Sequence, residues 1–435
     1  MELSKLIQYI KRSFVGKDTS TKSFKQSAAK RTKKGEASKR EMVIKAIISR
    51  SHEIQIEDLP RVEDEMLAYF ENFKNEDYFK DINSVQYYQM LDIREKLDSR
   101  VVVVGDVHCD YKSLVAILLK LSVSEYDYFE KGFFVFLGDY LDRGGALFEP
   151  LLLFMDLKRI LGDRLIMLRG NHELIDYDEE KQELVGNVLP LDSVPCLNEY
   201  CIENKAFLKS FAYFYRTLPT YVYLKVADQN ILLTHGSIPR QIFLDVFKYD
   251  EETGAIIFSD DQISKLNMDI LDVRNVILTD MIWGDPSNDS EKCQVKGRFE
   301  FGSKQFEAYA EKNKLNRVYR SHEPVDEGYE SFFNDCLCTI FSTGGFMNEQ
   351  SGYLGVEPAF AIINADGSYN IENSFLYHVT IEDEVDVSYN LYSGKLMKHK
   401  IINKYSLNPE FYCTGERAMQ IKSLFSKVNE GFPIE

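Results

Sequence analysis

Three short segments constrain this chain more than anything else in it: Gly105-Asp106-Val107-His108, Gly138-Asp139-Tyr140-Leu141-Asp142-Arg143-Gly144 and Arg169-Gly170-Asn171-His172-Glu173. Each closes a run of largely apolar residues: Arg100–Val104, Phe133–Leu137 and Arg164–Leu168. Runs of this kind, without polar alternation, are the pattern of parallel strands covered on both faces. Ser113–Leu121 and Ala146–Leu161 between them carry helical periodicity. The alternation predicts an α/β sheet whose ligand lies outside the carboxyl ends of the strands, where all three segments sit.

The residues at those ends suit hard cations. Carboxylate oxygens hold divalent metals, and imidazole suits Mn, Fe or Zn. Asp106 and His108 are two apart on an extended segment and so share a side. Asp139 follows the second strand and can bridge two ions, and Asn171 follows the third and offers a carbonyl oxygen. Two later histidines also close strand-like runs: His235 in Leu232-Leu233-Thr234-His235-Gly236, and His322 in Arg320-Ser321-His322-Glu323. Together these six residues form a mixed nitrogen and oxygen set for two divalent metals, Mn2+ first, with Fe or Zn as alternatives. A site of that kind takes the charge of a phosphate ester and activates water against it. His52, His378 and His399 have no such context.

The formal net charge is −17, yet residues 1–50 are strongly basic, so the remainder is more acidic still. An acidic body argues against nucleic acid as a partner. No stretch approaches the roughly 20 apolar residues that span a bilayer, and Met1–Arg12 lacks the apolar core of a cleaved secretory signal. The seven cysteines are scattered without zinc-site spacing, as expected of reduced thiols in a cytoplasmic compartment.

The expected organisation is a basic mobile arm over residues 1–40, offered as a contact for an anionic partner or surface. A helical lead-in covers 41–98 and a catalytic domain 99–380. A C-terminal extension over 381–435 has a helix expected at Glu416–Lys427. Residues 174–205 read as an insertion beside the site, with an acidic span at Asp176–Glu183 and a loop at Gly186–Asn198. The second half beyond it reads as β-rich.

The three opening segments resemble the GDxHG, GDxxDRG and GNHE signatures of the PPP-type phosphoprotein phosphatases, within the calcineurin-like metallophosphoesterase superfamily. Trp283-Gly284-Asp285-Pro286, Arg320-Ser321-His322-Glu323-Pro324-Val325 and Thr339-Ile340-Phe341-Ser342 are similar to later motifs of the same family, so the likeness runs over roughly residues 100–365. The resemblance implies a β-sandwich flanked by helices and hydrolysis of protein phosphomonoesters by a metal-activated hydroxide. It implies Asp106, His108 and Asp139 on one metal and Asp139, Asn171, His235 and His322 on the other. Arg143 would hold the phosphate, with Arg298 as a second candidate. His172 would protonate the leaving oxygen, oriented by Asp142.

The chain departs from the family pattern around the expected substrate channel. Cys109 stands where the family has glycine and reads as a buried, inert thiol. Ser237 replaces a second glycine. Thr343-Gly344-Gly345-Phe346 replaces a segment that carries a tyrosine over the site. The basic arm and divergent rim also resemble the Wip effector phosphatases of Legionella, which implies phosphotyrosine narrowly ahead of phosphoserine or phosphothreonine, and action in host cytosol after secretion. The alternatives are a small-molecule phosphoesterase, such as a dinucleoside-polyphosphate hydrolase, and a phosphate-binding scaffold without activity.

Overall fold

The computed structural model describes residues 37–50, 58–73 and 88–374, apart from 187, 202, 294–296, 346–347, 349–350 and 354. It also describes the backbone of an antiparallel hairpin, Val385–Asn390 with Lys395–Lys400. Most of the basic arm and the helix expected at 416–427 lie outside the described residues.

Two sheets form the centre. The first has five strands in the order Tyr369–Asn373, Ala359–Ile363, Val101–Val104, Phe133–Phe136, Leu165–Met167, the last three parallel. The second has six: Tyr88–Asp92, Tyr221–Val226, Gln229–Thr234, Arg317–Arg320, Leu337–Ile340, Tyr329–Phe332. Because side chains alternate across a strand, Val101, Val103, Phe133 and Val135 face the second sheet. They pack there with Val222, Leu224, Leu233, Tyr319 and Ile340. Val102, Val104, Phe134 and Phe136 face the other way, onto the helices Tyr111–Val123 and Phe148–Leu161. The outer face of the second sheet carries Tyr223, Leu232 and Val318 against the helices Ile270–Trp283 and Ser303–Asn313. The result is the expected β-sandwich between helical layers. Each fully buried large apolar side chain contributes about 1.5–3 kcal/mol.

The lead-in is helical at Lys39–Arg50 and Leu59–Phe73. Phe70 seats the second helix against Phe214 of the helix Lys205–Arg216, ring centroids 4.9 Å apart. The expectation of helix through residue 98 is corrected at its end. Tyr88–Asp92 is a strand, paired in parallel with Tyr221–Val226 and stacked through Tyr88 on Tyr221 at 5.3 Å. An edge strand needs only one covered face, so it shows no apolar run by which to recognise it. The insertion is also more ordered than a loop. Ile175–Asp178 and Glu183–Gly186 form a hairpin, and Ser193–Tyr200 is a helix. Pro195 falls in that helix's first turn, where proline is tolerated because the N–H has no helical partner.

Candidate active site

The parallel strands of the first sheet deliver Asp106, His108, Asp139, Asn171 and His172 to one end of the sandwich. The second sheet delivers His235 and His322 to the same end. A bridge between Asp106 and Phe341 joins the two sheets there. The three loops approach so closely that glycine is required. A Cβ on Gly170 would lie 2.2 Å from Asp139 Oδ1, and one on Gly144 would lie 1.9 Å from the His108 carbonyl. The loops also carry backbone strain. His108, Asp139, Asp142, Arg143 and His322 all adopt positive φ, between 44° and 76°, a region that costs a non-glycine residue of order 1–3 kcal/mol.

Hydrogen bonds from the scaffold hold these conformations. Glu173, fully buried, accepts from the backbone N–H of Asp139, Tyr140 and Gly170, each at 2.8 Å. Burial and then the nearby charge of Asp139 push its carboxyl up to about 8. Asp106 Oδ1 accepts from Ser321 Oγ at 2.5 Å and from the His322 N–H at 3.1 Å.

The candidate ligands converge, although His172 rather than Asp106 groups with His108 and Asp139. His108, Asp139 and His172 form one group and Asp139, His235 and His322 another, each with ligand atoms within 4.8 Å of one another. Asp106 Oδ2 lies 3.3 Å from His108 Nε2. It is buried and accepts no hydrogen bond. The Asn171 side-chain amide lies 2.9 Å from His235 Nε2, through its Oδ1. This atom position is also 3.2–3.3 Å from both oxygens of Asp139 and 2.9 Å from His322 Nδ1. A buried carboxylate oxygen with no hydrogen-bond partner, as at Asp106 Oδ2, is unfavourable without a cation beside it. The residues therefore fit divalent metal. Two of the imidazoles are fixed for ligation by their outer nitrogens. His108 Nδ1 donates to the Leu141 carbonyl at 2.8 Å, and His235 Nδ1 to the Leu137 carbonyl at 3.1 Å. That leaves each Nε2 lone pair facing the acids.

Burial opposes charge on His108 and His235, but the nearby carboxylates of Asp106 and Asp139 raise both above the ordinary imidazole value. Burial opposes charge on Asp139, but His235, His172 and His108 around it hold its carboxyl well below the usual range. Burial, then His235 and Arg320, hold His322 well below the usual imidazole value.

Beside the ligands, His172 Nδ1 lies 2.6 Å from Asp142 Oδ2, and its Nε2 lies 3.3 Å from Arg143 Nη2. No carboxylate among the described residues pairs with the Arg143 guanidinium, and its buried Nε has no partner. Arg298 is brought to the site's other edge. Its Nη2 lies 2.8 Å from His322 Nε2, and its Nε donates to the Trp283 carbonyl while pairing with Asp285. It is thus committed to neighbours that Arg143 lacks. Cys109 is fully buried, and burial followed by Asp142 raises its thiol well above the ordinary value, as expected of an inert side chain.

Tyr353 was not legible in the sequence. Thr343-Gly344-Gly345-Phe346 lacks the family's tyrosine, yet Tyr353 reaches the site from beyond that segment. Its hydroxyl accepts from Arg143 Nη1 and lies 3.4 Å from His108 Nε2. Its ring packs on Phe341 at 4.8 Å. The buried Asp110 carboxylate anchors the loop, accepting from Thr343 Oγ1 at 2.8 Å and from Asn348 Nδ2 at 2.9 Å.

A β-sandwich between helices, with carboxylate, imidazole and amide groups converging at its strand ends beside an arginine that no described carboxylate pairs, is the layout of the metallophosphoesterase class. The chain matches the calcineurin-like phosphoesterase family over residues 99–326, more than half its length, and belongs to that family. It is 25% identical over 279 residues to a protein of Encephalitozoon cuniculi (strain GB-M1) named "Probable serine/threonine-protein phosphatase", covering 61% of this chain and 52% of the relative. The chain thus spans about half the length of that curated relative. The solved structure of a Saccharomyces cerevisiae protein serine/threonine phosphatase, described as similar to human PP5, has a TM-score of 0.50 at 19% identity. It covers 72% of this chain and 89% of that one, and shows the shared fold. A cold-active protein-tyrosine phosphatase of a psychrophilic Shewanella species is a weaker match, with a TM-score of 0.38 and 16% identity over 65% of this chain and 81% of that one. No helix among the described residues is long and apolar enough to cross a membrane.

Proposed function

We propose that this chain is a metal-dependent phosphoprotein phosphatase that hydrolyses protein phosphomonoesters. The observation that carries the reading is the Arg143 guanidinium, buried at Nε and unpaired with any described carboxylate, beside a cluster of metal-type ligands. A planar guanidinium of this kind suits a phosphate held bidentately.

Asp106, His108 and Asp139 would hold one divalent ion, and Asp139, Asn171, His235 and His322 a second, with Mn2+ our first choice. Bound there, the ions would neutralise phosphoryl charge and make water a nucleophile near neutral pH. Arg143 orients the phosphate. His172 delivers a proton from Nε2 to the leaving oxygen, and Asp142 fixes the ring through Nδ1. Arg298 is a weaker phosphate ligand, because phosphate would have to draw it from Asp285.

For the substrate residue we keep phosphotyrosine ahead of phosphoserine and phosphothreonine. Two rim features support this: the insertion packed on the Asp142–Arg143 turn, and Tyr353 standing on Arg143. Phosphotyrosine carries its phosphorus farther from the peptide and reaches past such walls. The name of the 25% identical relative favours phosphoserine or phosphothreonine instead. Phosphate release from matched phosphotyrosine, phosphoserine and phosphothreonine peptides, with Mn2+ or with chelator, decides between them. Release from none of them, with turnover of dinucleoside polyphosphates, would sink the protein-phosphatase reading. Delivery into a host cytosol, implied only by the resemblance to the Wip effector phosphatases, is tested by a translocation reporter fused to the chain.

A further inference from the structure

We infer that the insertion after the third motif is a working part of the site, with Asp192 and Ser193 as positioning residues for His172 and Arg143. The inference rests on the roles proposed above for those two residues.

It starts from strain. Asp142 and Arg143 are consecutive non-glycine residues in left-handed backbone, with φ of 64° and 65°. A turn of that kind persists only where its surroundings over-determine it. The surroundings here are the first residues of the insertion's helix, Ser193–Tyr200. The Asp142 N–H donates to Ser193 Oγ at 2.8 Å, and the Arg143 N–H donates to Asp192 Oδ2 at 3.1 Å. In return, the N–H groups of Asp192 and Ser193 donate to Asp142 Oδ1 at 2.9 and 2.7 Å. The insertion therefore grips the turn twice by its backbone and twice by its carboxylate.

The second carboxylate oxygen of Asp142 is the one facing His172 Nδ1. With Oδ1 held by two N–H groups, rotation of that carboxylate is blocked, and so is drift of the imidazole. Asp192 acts on Arg143 in the same way, through its backbone. The support is rigid. Ser193, Leu197 and Val194 are buried, and Asn198 exchanges two hydrogen bonds with Leu184 of the insertion's hairpin, at 2.8 and 2.9 Å. A surface loop needs none of these reciprocal contacts. A lid is not built with its first helical residue fully buried under the catalytic turn. The insertion thus supplies a part of the machinery that the three motifs do not contain.

The test compares Asp192→Ala, Ser193→Ala and their double variant with the conservative Asp192→Asn, which keeps an acceptor for the Arg143 N–H. The full chain with Mn2+ is assayed on two aryl phosphates, p-nitrophenyl phosphate with a good leaving group and phenyl phosphate with a poor one. His172→Ala is the reference. Misplacing a general acid costs most where the leaving oxygen needs its proton. The double variant is expected to lose about tenfold or more in kcat on phenyl phosphate and about two- to threefold on p-nitrophenyl phosphate. Asp192→Asn should stay near the parent. A second readout needs no metal: the Nδ1 proton of His172 should give a downfield resonance in the parent and in Asp192→Asn, and lose it in the double variant. Should the double variant fail to fold, the half-buried Asp192 alone decides, Ala against Asn. Equal losses on both esters, or an unchanged resonance, overturn the inference while leaving His172's role intact. A His172→Ala protein with no leaving-group dependence overturns the underlying reading and this inference with it.

Discussion

His172 Nδ1 meets Asp142 Oδ2 at 2.6 Å, with both side chains buried, and the opposite ring nitrogen faces Arg143. The contact fixes which nitrogen is free to deliver a proton and aims it at the arginine proposed to hold phosphate. His172→Ala should lower kcat about 10²–10⁴-fold while metal binding persists. Steady-state phosphate release, paired with metal analysis of the purified variant, checks this.

Chelator should abolish turnover, and returning Mn2+ should restore it. A metal held by residues that only folding brings together should raise the thermal midpoint. At a concentration a hundredfold above Kd the gain is about 2.7 kcal/mol. Asp139→Asn, at the residue shared by both ligand groups, should remove most of that gain. Thermal scans of chelated and reloaded protein show it directly, and a chelated protein with an unchanged midpoint in Mn2+ would count against the metal site.

Tyr353 accepts a hydrogen bond from the guanidinium that a phosphate would use. Tyr353→Phe removes the competitor and keeps the ring on Phe341. Inorganic phosphate should then inhibit about fivefold more strongly, the equivalent of one ordinary hydrogen bond of about 1 kcal/mol. Weaker inhibition would mean that the hydroxyl assists phosphate instead.

Arg50 ties the lead-in to the catalytic domain, reaching Glu65 at 2.5 Å and Asp156 at 2.7 Å. The Arg50 hydrogen bond, against an opposing effect of burial, lowers the Glu65 carboxyl from its ordinary 4.5. A lowered carboxyl contributes stability above its unfolded value and loses it as pH falls through the folded one. Arg50→Ala should therefore cost about 1 kcal/mol near neutral pH, a modest figure because the network is partly solvated. The difference from the parent should shrink well below pH 4.5. Urea unfolding of both proteins at neutral and acid pH measures it.

Local chemistry made much of the site legible. Asp106, His108, Asp139, Asn171 and His172 stand within a few residues of their strands, in contiguous motifs. His235 and His322 could be read because each also closes a strand. Tyr353 carried no such signal. It is 210 residues from Arg143 in sequence and outside any strand, on a loop that Asp110 anchors through Thr343 and Asn348. Asp192 and Ser193 were equally silent, because a stretch with two prolines, Gly186 and Asn187 reads as a loop until packing buries its Leu197 and Val194. The strand Tyr88–Asp92 needed its partner at Tyr221–Val226 to be recognised.

The chain's own pattern determined the alternating strands and helices, the ligand types and their places at strand ends, since these follow from nearest neighbours and side-chain period. Only the tertiary structure decided what surrounds that chemistry: the tyrosine set against Arg143, the pairing of Arg298 with Asp285, and the clamp of the insertion on a strained turn. Each of those depends on which distant surfaces meet, and local propensity carries no record of that.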